Sequence, residues 1–470
     1  MIVFGFVFSM LCFLGIGMAS AYKSQKEVAD YLIAGRSISP VAAGLSAVAS
    51  NNSGFMFIGA IGFTYTYGLS AFWLLFAWIV GDYLSWLIVH RKLRAQSEQL
   101  QSTSVVGFLA HDGKNNHRQL QIILGVLTVI FLTLYAAAQL KAGGKALEAM
   151  LNWDQTMGIY IGMAMVALYS FSGGIRASIW TDIAQSLVMV GAMALLVGVC
   201  HYQVVDISSL LSKLESIDPK LLHWTPSDAQ LGLAPYALGW FLAGFGGIGQ
   251  PHIIIRAMTL QSPDDVPTMR RTYFSWYIIF SIFTFLVGLY ARVYFNAQPD
   301  LNFDKETALP LLAAAQLMPF LVGVILAALF AATMSTADSL VLASSASITQ
   351  DIPSTPKNKL LYSKTATILV VITAGIAALF GPDSVFTLVT IAWGLMMSCF
   401  APLMIARVCS WQISWQKLLV SIGMGLIAMF TWRSGLSLGD SVYEGAVGFA
   451  VAMLCVWMMR ENSSLKSLSS

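Results

Sequence analysis

Apolar runs of about twenty residues, each with at most one charge, recur along the whole chain. Segments 120–140, 179–200, 273–290 and 320–336 are examples. A run of that length covers ~30 Å of hydrocarbon as a helix, and in lipid the backbone must satisfy its own polar groups. Composition agrees: 57% of residues are hydrophobic and 10% are charged, against about 25% charge in a soluble chain. No polar stretch is long enough for a separate domain, so an all-α polytopic membrane domain spanning 1–470 is expected.

The pattern predicts about 13 transmembrane helices, at 2–20, 40–66, 71–90, 119–147, 156–172, 178–200, 231–254, 273–294, 308–348, 361–380, 384–406, 414–432 and 443–459. The stretch 308–348 exceeds one crossing and is expected to hold a short external helix before the crossing that starts near Met318. The first run is expected to remain uncleaved. Ala19-Ser20-Ala21 imitates a cleavage site, but the basic residues that should precede a signal peptide's apolar stretch follow it here, at Lys23, Lys26 and Arg36. With the N-terminus outside and the C-terminus cytoplasmic, 19 of the 26 Lys and Arg face inward, leaving Lys141, Lys145, Lys213, Lys220, Arg292, Lys305 and Arg433. Basic residues gather on the cytoplasmic side, so this orientation in the cell's inner (plasma) membrane is expected. The net charge of +3 follows the same bias and points to no nucleic acid. The five cysteines show no metal or redox spacing.

Two spans are interrupted at mid-depth. Ala49-Ser50-Asn51-Asn52-Ser53-Gly54 places four small polar residues inside the second span, and 244–251 places four glycines and a proline inside the seventh. Broken backbone at membrane depth is tolerated only where protein covers it or a cavity adjoins it. Interruptions at matching positions of two halves point to an inverted-repeat transporter with its site at the midplane. Packing glycines of the small-xxx-small kind would explain glycine alone; they do not explain Asn51, Asn52, Gln250 or Pro251. The string Gly244-Phe-Gly246-Gly-Ile-Gly249 matches a dinucleotide fingerprint in letters, but it lies inside a membrane span rather than between a strand and a helix.

Acidic residues inside spans are costly and functional by default. Asp82, Asp182 and Asp338 are such residues. Ser335, Asp338 and Ser339 share one helical face, with Thr336 beside it, a set of oxygen donors suited to a hard cation. Structural alternatives are an ion pair of Asp182 with Arg176, and a pairing of Asp82 with Arg91 or an interhelical hydroxyl. Most aromatic residues read as interfacial belts and core.

Four ordered blocks then resemble the sodium–solute symporter family: Gly35-Arg36-Ser37 with Leu45 to Gly54; Tyr169-Ser170-Phe171-Ser172-Gly173-Gly174-Ile175-Arg176 leading to Trp180-Thr181-Asp182; Gly249-Gln250-Pro251-His252 to Arg256; and Ala332-Thr333-Met334-Ser335-Thr336-Ala337-Asp338-Ser339. The resemblance covers about residues 30–410 and looks most like the sodium/proline symporter branch. It implies a LeuT-type 5+5 inverted-repeat helical bundle, with 1–39 preceding the repeats, 40–200 and 231–407 forming them, and 408–470 holding two accessory helices and a short tail. It implies a sodium site of the Ala49, Asn52 and Ala332 carbonyls with the Ser335 and Thr336 hydroxyls. A second sodium in some members maps to Asp182, Ser335, Asp338 and Ser339, where members usually carry a small residue at the Asp338 position. The expected solute-facing residues are Asn51, Ser53, Tyr135, Gln139, Gly247 and Gln250. Two departures bear on the solute: an amide at Asn51 where the proline branch has an acid, and Ala243 and Gly247 where it has aromatics.

The expected activity is sodium-coupled import of a small solute, proline or another small amino acid, by alternating access. The expected partners are that solute, sodium ions and the lipid bilayer, with no obligatory protein partner. The alternatives are a proton-coupled organic acid, sugar or vitamin symporter of the same fold, and a membrane sensor, which the short stretch after Arg460 disfavours. An intramembrane enzyme is not expected, since His252 is the one deep histidine.

Overall fold

Once the apolar runs become helices, their caps and breaks set the architecture. The computed structural model describes residues 1–21, 32–296, 303–352 and 359–461, apart from the side chains at 18, 20–21, 169–173 and 359–360. Lys23, Lys26, Lys357 and Lys466, expected to face inward, lie outside the described residues.

The main helices are α1 (Ile2–Ala21), α2 (Pro40–Asn51), α3 (Gly59–Tyr67), α4 (Trp73–Gln99), α5 (Arg118–Leu151), α6 (Gln155–Leu168), α7 (Gly174–Gln203) and α8 (Leu233–Phe245). They continue with α9 (Pro251–Met258), α10 (Pro263–Asn296), α11 (Ala308–Gln316), α12 (Pro319–Ala346), α13 (Lys359–Phe380), α14 (Val385–Val408), α15 (Trp415–Phe430) and α16 (Glu444–Met459). Among the described residues, eight helices are each long and apolar enough to cross a membrane, and α8 with α9 form a ninth span bent by 54°. The expected spans at 2–20, 156–172 and 443–459 hold shorter apolar helices, and the one at 40–66 is split between α2 and α3. The short helix foreseen before Met318 is α11.

Local chemistry explains several boundaries. Ser39 caps α2 by accepting from Ala42 N–H, and Pro40 takes the first position, where its missing N–H costs nothing. Gly174 separates α6 from α7 at φ 61°, a left-handed value that a side chain resists. Glu306 sits at the start of α14, accepting from Val385 N–H (3.0 Å), Phe386 N–H (2.8 Å) and the Ser384 hydroxyl (3.0 Å). A carboxylate there meets the positive end of the helix dipole. The same carboxylate pairs with Lys145 of α5 at 2.7 Å, tying α5 to α14.

Of the long helices, α12 and α14 are the most enclosed and α15 the least. The core therefore lies between α12, α5, α7 and α2, while α15 packs outside on α14 and α16. The face that carries the starts of α1, α12 and α14 is called the N-terminal face below.

Helices α4 and α8 approach through glycine on both sides. A Cβ on Gly81 would meet Phe241 O at 1.8 Å, and one on Gly244 would meet Trp78 O at 1.9 Å. Gly244→Ala must therefore push the two helices apart. We expect a loss of about 1–3 kcal/mol, as for overpacking elsewhere. Gly191→Ala, with nothing within 4 Å of its Cβ, should be neutral or slightly stabilising. Equilibrium unfolding of both variants in detergent checks this; equal stabilities would refute the close-packing account.

Candidate ion and solute site

The first break is built by competition for backbone partners. Asn52 ends α2 at φ −86° and ψ 75°, with its amide Nδ2 donating to Val48 O at 3.0 Å. Side-chain amides that reach back to the backbone in this way unsettle a helix. Ser53 N–H then donates to Asn51 O (3.1 Å), not to Ala49 O four residues back. Gly54 N–H donates to Gln139 Oε1 (3.0 Å), and Met56 N–H to Ser53 O (3.0 Å). The carbonyls of Ala49, Ser50 and Asn52 thereby lose their helical donors. Ser53 restarts the chain as a cap, its hydroxyl accepting from Phe55 N–H (3.1 Å) and facing Tyr135 OH at 3.3 Å.

Helix α12 closes over this break. Thr336 donates its hydroxyl to the released Ser50 O at 3.0 Å, and the Ser50 and Ser339 hydroxyls meet at 2.9 Å. Asp182 of α7 accepts from Ser335 at 2.6 Å and from Ser46 of α2 at 2.5 Å. The arrangement thus gathers Asp182, Ser335, Asp338 and Ser339 into one buried cluster.

Arg256 of α9 completes that cluster, and it was not foreseen as a member. Its Nη2 lies 3.6 Å from Asp182 Oδ2 and donates to Ser339 at 2.5 Å and Ser178 at 3.4 Å; its Nε donates to Ser46 at 3.3 Å. It also donates to His252 O. Asp338 interacts electrostatically with both Asp182 and Arg256. The Asp182 carboxylate therefore faces the guanidinium, with buried Asp338 in their neighbourhood. Arg176, the alternative partner for Asp182, turns instead to Ala34 O (2.9 Å) and Ser37 (3.0 Å).

A second polar chain joins the two breaks. Asn51 Nδ2 donates to Tyr273 OH (2.7 Å), which donates to Asp82 Oδ2 (2.7 Å). Asp82 thus takes its hydroxyl alternative, while Arg91 pairs with Asp264 at 2.6 Å. Gly247 of the second break lies beside Asp82, where a Cβ would stand 3.0 Å from Oδ1. Gln250 donates to Trp393 O (3.3 Å), and the Trp393 indole donates to Ala243 O (2.9 Å), so α14 is fastened to the second break.

Between these chains lies a cavity of about 20 Å³ lined by Asn51, Phe55, Trp78, Tyr135, Tyr277 and Trp393, with aliphatic neighbours. That is room for a water and little more. Of the expected solute-facing residues, Asn51 and Tyr135 line it; Ser53, Gln139, Gly247 and Gln250 shape the adjoining backbone instead. Tyr273, Tyr277 and Trp393 had passed as core or belt aromatics. Trp393 lies deep in the expected span 384–406, but Tyr273 and Tyr277 stand at the start of the expected span 273–294, where sequence alone gave them no signal. Towards the N-terminal face the cavity is shut by Phe386, whose ring lies 5.4 Å from Phe55 and stacks on Phe63 at 5.1 Å.

A broken span pinned to a hydroxyl-rich helix, over a small closed cavity, is what an ion-coupled carrier needs. The model of the sodium:solute symporter family matches residues 31–417. The chain belongs to this family. As a sodium:solute symporter it is 27% identical over 447 residues to the high-affinity proline transporter PutP of Bacillus subtilis (strain 168), covering 93% of each chain. It is 28% identical over 445 residues to the sodium/proline symporter of Escherichia coli (strain K12), covering 91% of this chain and 87% of that one. Its fold matches a Na+-coupled sialic acid symporter in a substrate-bound outward-open state, with a TM-score of 0.80, 21% identity and 97% coverage of both chains. The fold is thus the LeuT-type bundle, and sodium is the coupling ion of this symporter.

The charge cluster makes a testable demand. Removing one member of a buried pair strands the other and costs about 3–5 kcal/mol. Arg256→Met and Asp182→Asn should each lower stability, and the double variant should lose less than the sum, with a coupling of about 1–3 kcal/mol. Strictly additive losses in detergent unfolding would show that the two side chains do not act as a pair.

Proposed function

We propose that this symporter imports proline or a similarly small amino acid across the plasma membrane, by alternating access. The observation that carries the reading is the mid-depth cavity, which presents the Asn51 amide and the Tyr135 and Tyr277 rings and, at about 20 Å³, must widen to admit even a small solute. The proline transporters that cover nearly the whole chain support the same class of solute. In this reading residues 40–200 and 231–407 are the two inverted repeats, and the N-terminal face is external, as the placement of Lys and Arg suggests.

One sodium is held by the Ala49, Asn52 and Ala332 carbonyls with the Ser335 and Thr336 hydroxyls. Unwound carbonyls and half-helix ends are the usual donors for such an ion. Both hydroxyls are engaged elsewhere here, Ser335 with Asp182 and Thr336 with Ser50 O. Each hydroxyl donates its hydrogen there and keeps its lone pairs for the ion, so sodium bound between α2 and α12 adds to the contact that Thr336 makes with Ser50 O. Asp182, Asp338 and Ser339, with Ser335 shared, form the second cation position, beside Arg256. Ser53, Gln139, Gly247 and Gln250 hold the broken backbone around the solute. One charge moving through the membrane potential gains ~2.3 kcal/mol per 100 mV, enough for about 50-fold accumulation.

Uptake into proteoliposomes tests the solute and the ion together. An inward sodium gradient should drive accumulation of L-proline above equilibrium, and a potassium gradient should not. Thr336→Ala should raise the sodium concentration for half-maximal uptake roughly tenfold, the effect of losing about 1.4 kcal/mol of binding. Failure to accumulate proline, with uptake of a sugar or an organic acid instead, would overturn the amino-acid reading.

A further inference from the structure

The face opposite the N-terminal one holds a cavity of about 360 Å³, where the end of α4 and the loop 111–114 meet the end of α14. Arg407, in the last turn of α14, lines it and is only 7% exposed. Its Nε donates to Leu109 O at 2.9 Å, while its Nη2 is buried without a hydrogen-bond partner. A basic residue in a last turn often serves the open carbonyls of its own helix. Here those carbonyls are taken: Ile405 O, Ala406 O and Arg407 O accept from the N–H groups of Cys409 (3.0 Å), Trp411 (2.9 Å) and Ser410 (2.9 Å).

No side chain on the cavity wall neutralises the guanidinium. Asp112, the one carboxylate lining the cavity, acts on Arg407 from beyond ion-pairing distance. It is spent on its own loop, where Oδ1 accepts from Lys114 N–H (2.8 Å) and Asn115 N–H (2.7 Å), and Oδ2 meets His117 Nε2 at 2.8 Å. Lys114 stands exposed at the mouth. His111 Nδ1 accepts from Gly113 N–H at 3.0 Å, so the neutral ring carries its hydrogen on Nε2 and keeps a donor there.

We propose that this cavity binds a phosphate group, carried either by a soluble phosphate or by the headgroup of an anionic phospholipid. A guanidinium taken out of water without a counter-charge is costly, and an anion that accepts from it removes that cost. Its planar fork matches a pair of phosphate oxygens, which a single chloride does not offer. Lys114 adds a mobile ammonium and His111 a neutral donor. Trp411, also on the wall, lies under the Arg460 guanidinium at 5.2 Å. Aromatic and basic residues side by side mark the membrane interface, so the cavity faces water at headgroup level. A bound phosphate joins α14 to the loop before α5. Neither sodium nor the transported solute takes part.

Titration calorimetry tests this on the full chain in a neutral detergent without lipid, at constant ionic strength set with chloride. Inorganic phosphate should bind saturably. Arg407→Met should weaken it at least tenfold, the effect of losing a charge-assisted hydrogen bond. Lys114→Gln should weaken it about threefold, as for an exposed charge, and being at the surface it carries the test should Arg407→Met not fold. Water-soluble dihexanoyl phosphatidylglycerol separates the two sources. Phosphatidylglycerol binding that depends on Lys114 assigns the headgroup; phosphate binding that phosphatidylglycerol does not displace assigns a soluble phosphate. No saturable binding of either probe, or affinity unchanged in both variants, would overturn the inference.

Discussion

The loss of helix at Asn52 and Ser53 is the constraint on which the rest of the structure depends. Peptide groups released at mid-bilayer must find partners, because none comes from lipid. Ser50 O finds Thr336 and Gly54 N–H finds Gln139, so the break can exist only while α12 and α5 are seated against it. The backbone fault and the packing of its neighbours are one feature seen from two sides. This is also why α12 is small-residued and almost wholly enclosed, as a bulkier helix would not reach the released carbonyls.

The same economy governs charge. Asp182 is tolerable at depth because Ser46 and Ser335 donate to it and Arg256, itself bonded to Ser339, stands beside it. These residues come from α2, α7, α9 and α12, so any shift of one helix disturbs hydrogen bonds on the others. A cluster of this kind makes neighbouring helices move together rather than slide independently, a property suited to a carrier that alternates between discrete arrangements. Aromatic rings play the complementary part on the N-terminal face, where the contact of Phe386 with Phe55 and Phe63 closes the path without any charge.

Much of this was legible in the residues because the bilayer is a strict solvent. Membrane helices follow from apolar length, and the breaks follow from polar or glycine runs inside a span, since nothing else explains Asn51-Asn52-Ser53 at that depth. The shared face of Ser335, Asp338 and Ser339 was likewise readable from helical spacing, whereas grouping Asp182 with them was what the family resemblance implied. Family resemblance supplied the pairing of the first break with α12, which spacing along the chain does not contain.

The sequence by itself determined that the chain is a helical membrane bundle with two interrupted spans, because hydrocarbon leaves a long apolar run no other conformation. It did not determine which polar groups meet. Arg256 sits in the last turn of a proline-started half-helix and reads as a basic residue at a span's end; only the 54° bend between α8 and α9 brings its guanidinium to Asp182. Tyr273, Tyr277 and Trp393 look like any apolar-span aromatics until α10 and α14 are packed against the breaks. Tertiary structure decided these contacts because a hydrogen bond is made by a distance of about 3 Å, and residues 153 to 222 positions apart acquire that distance only through packing.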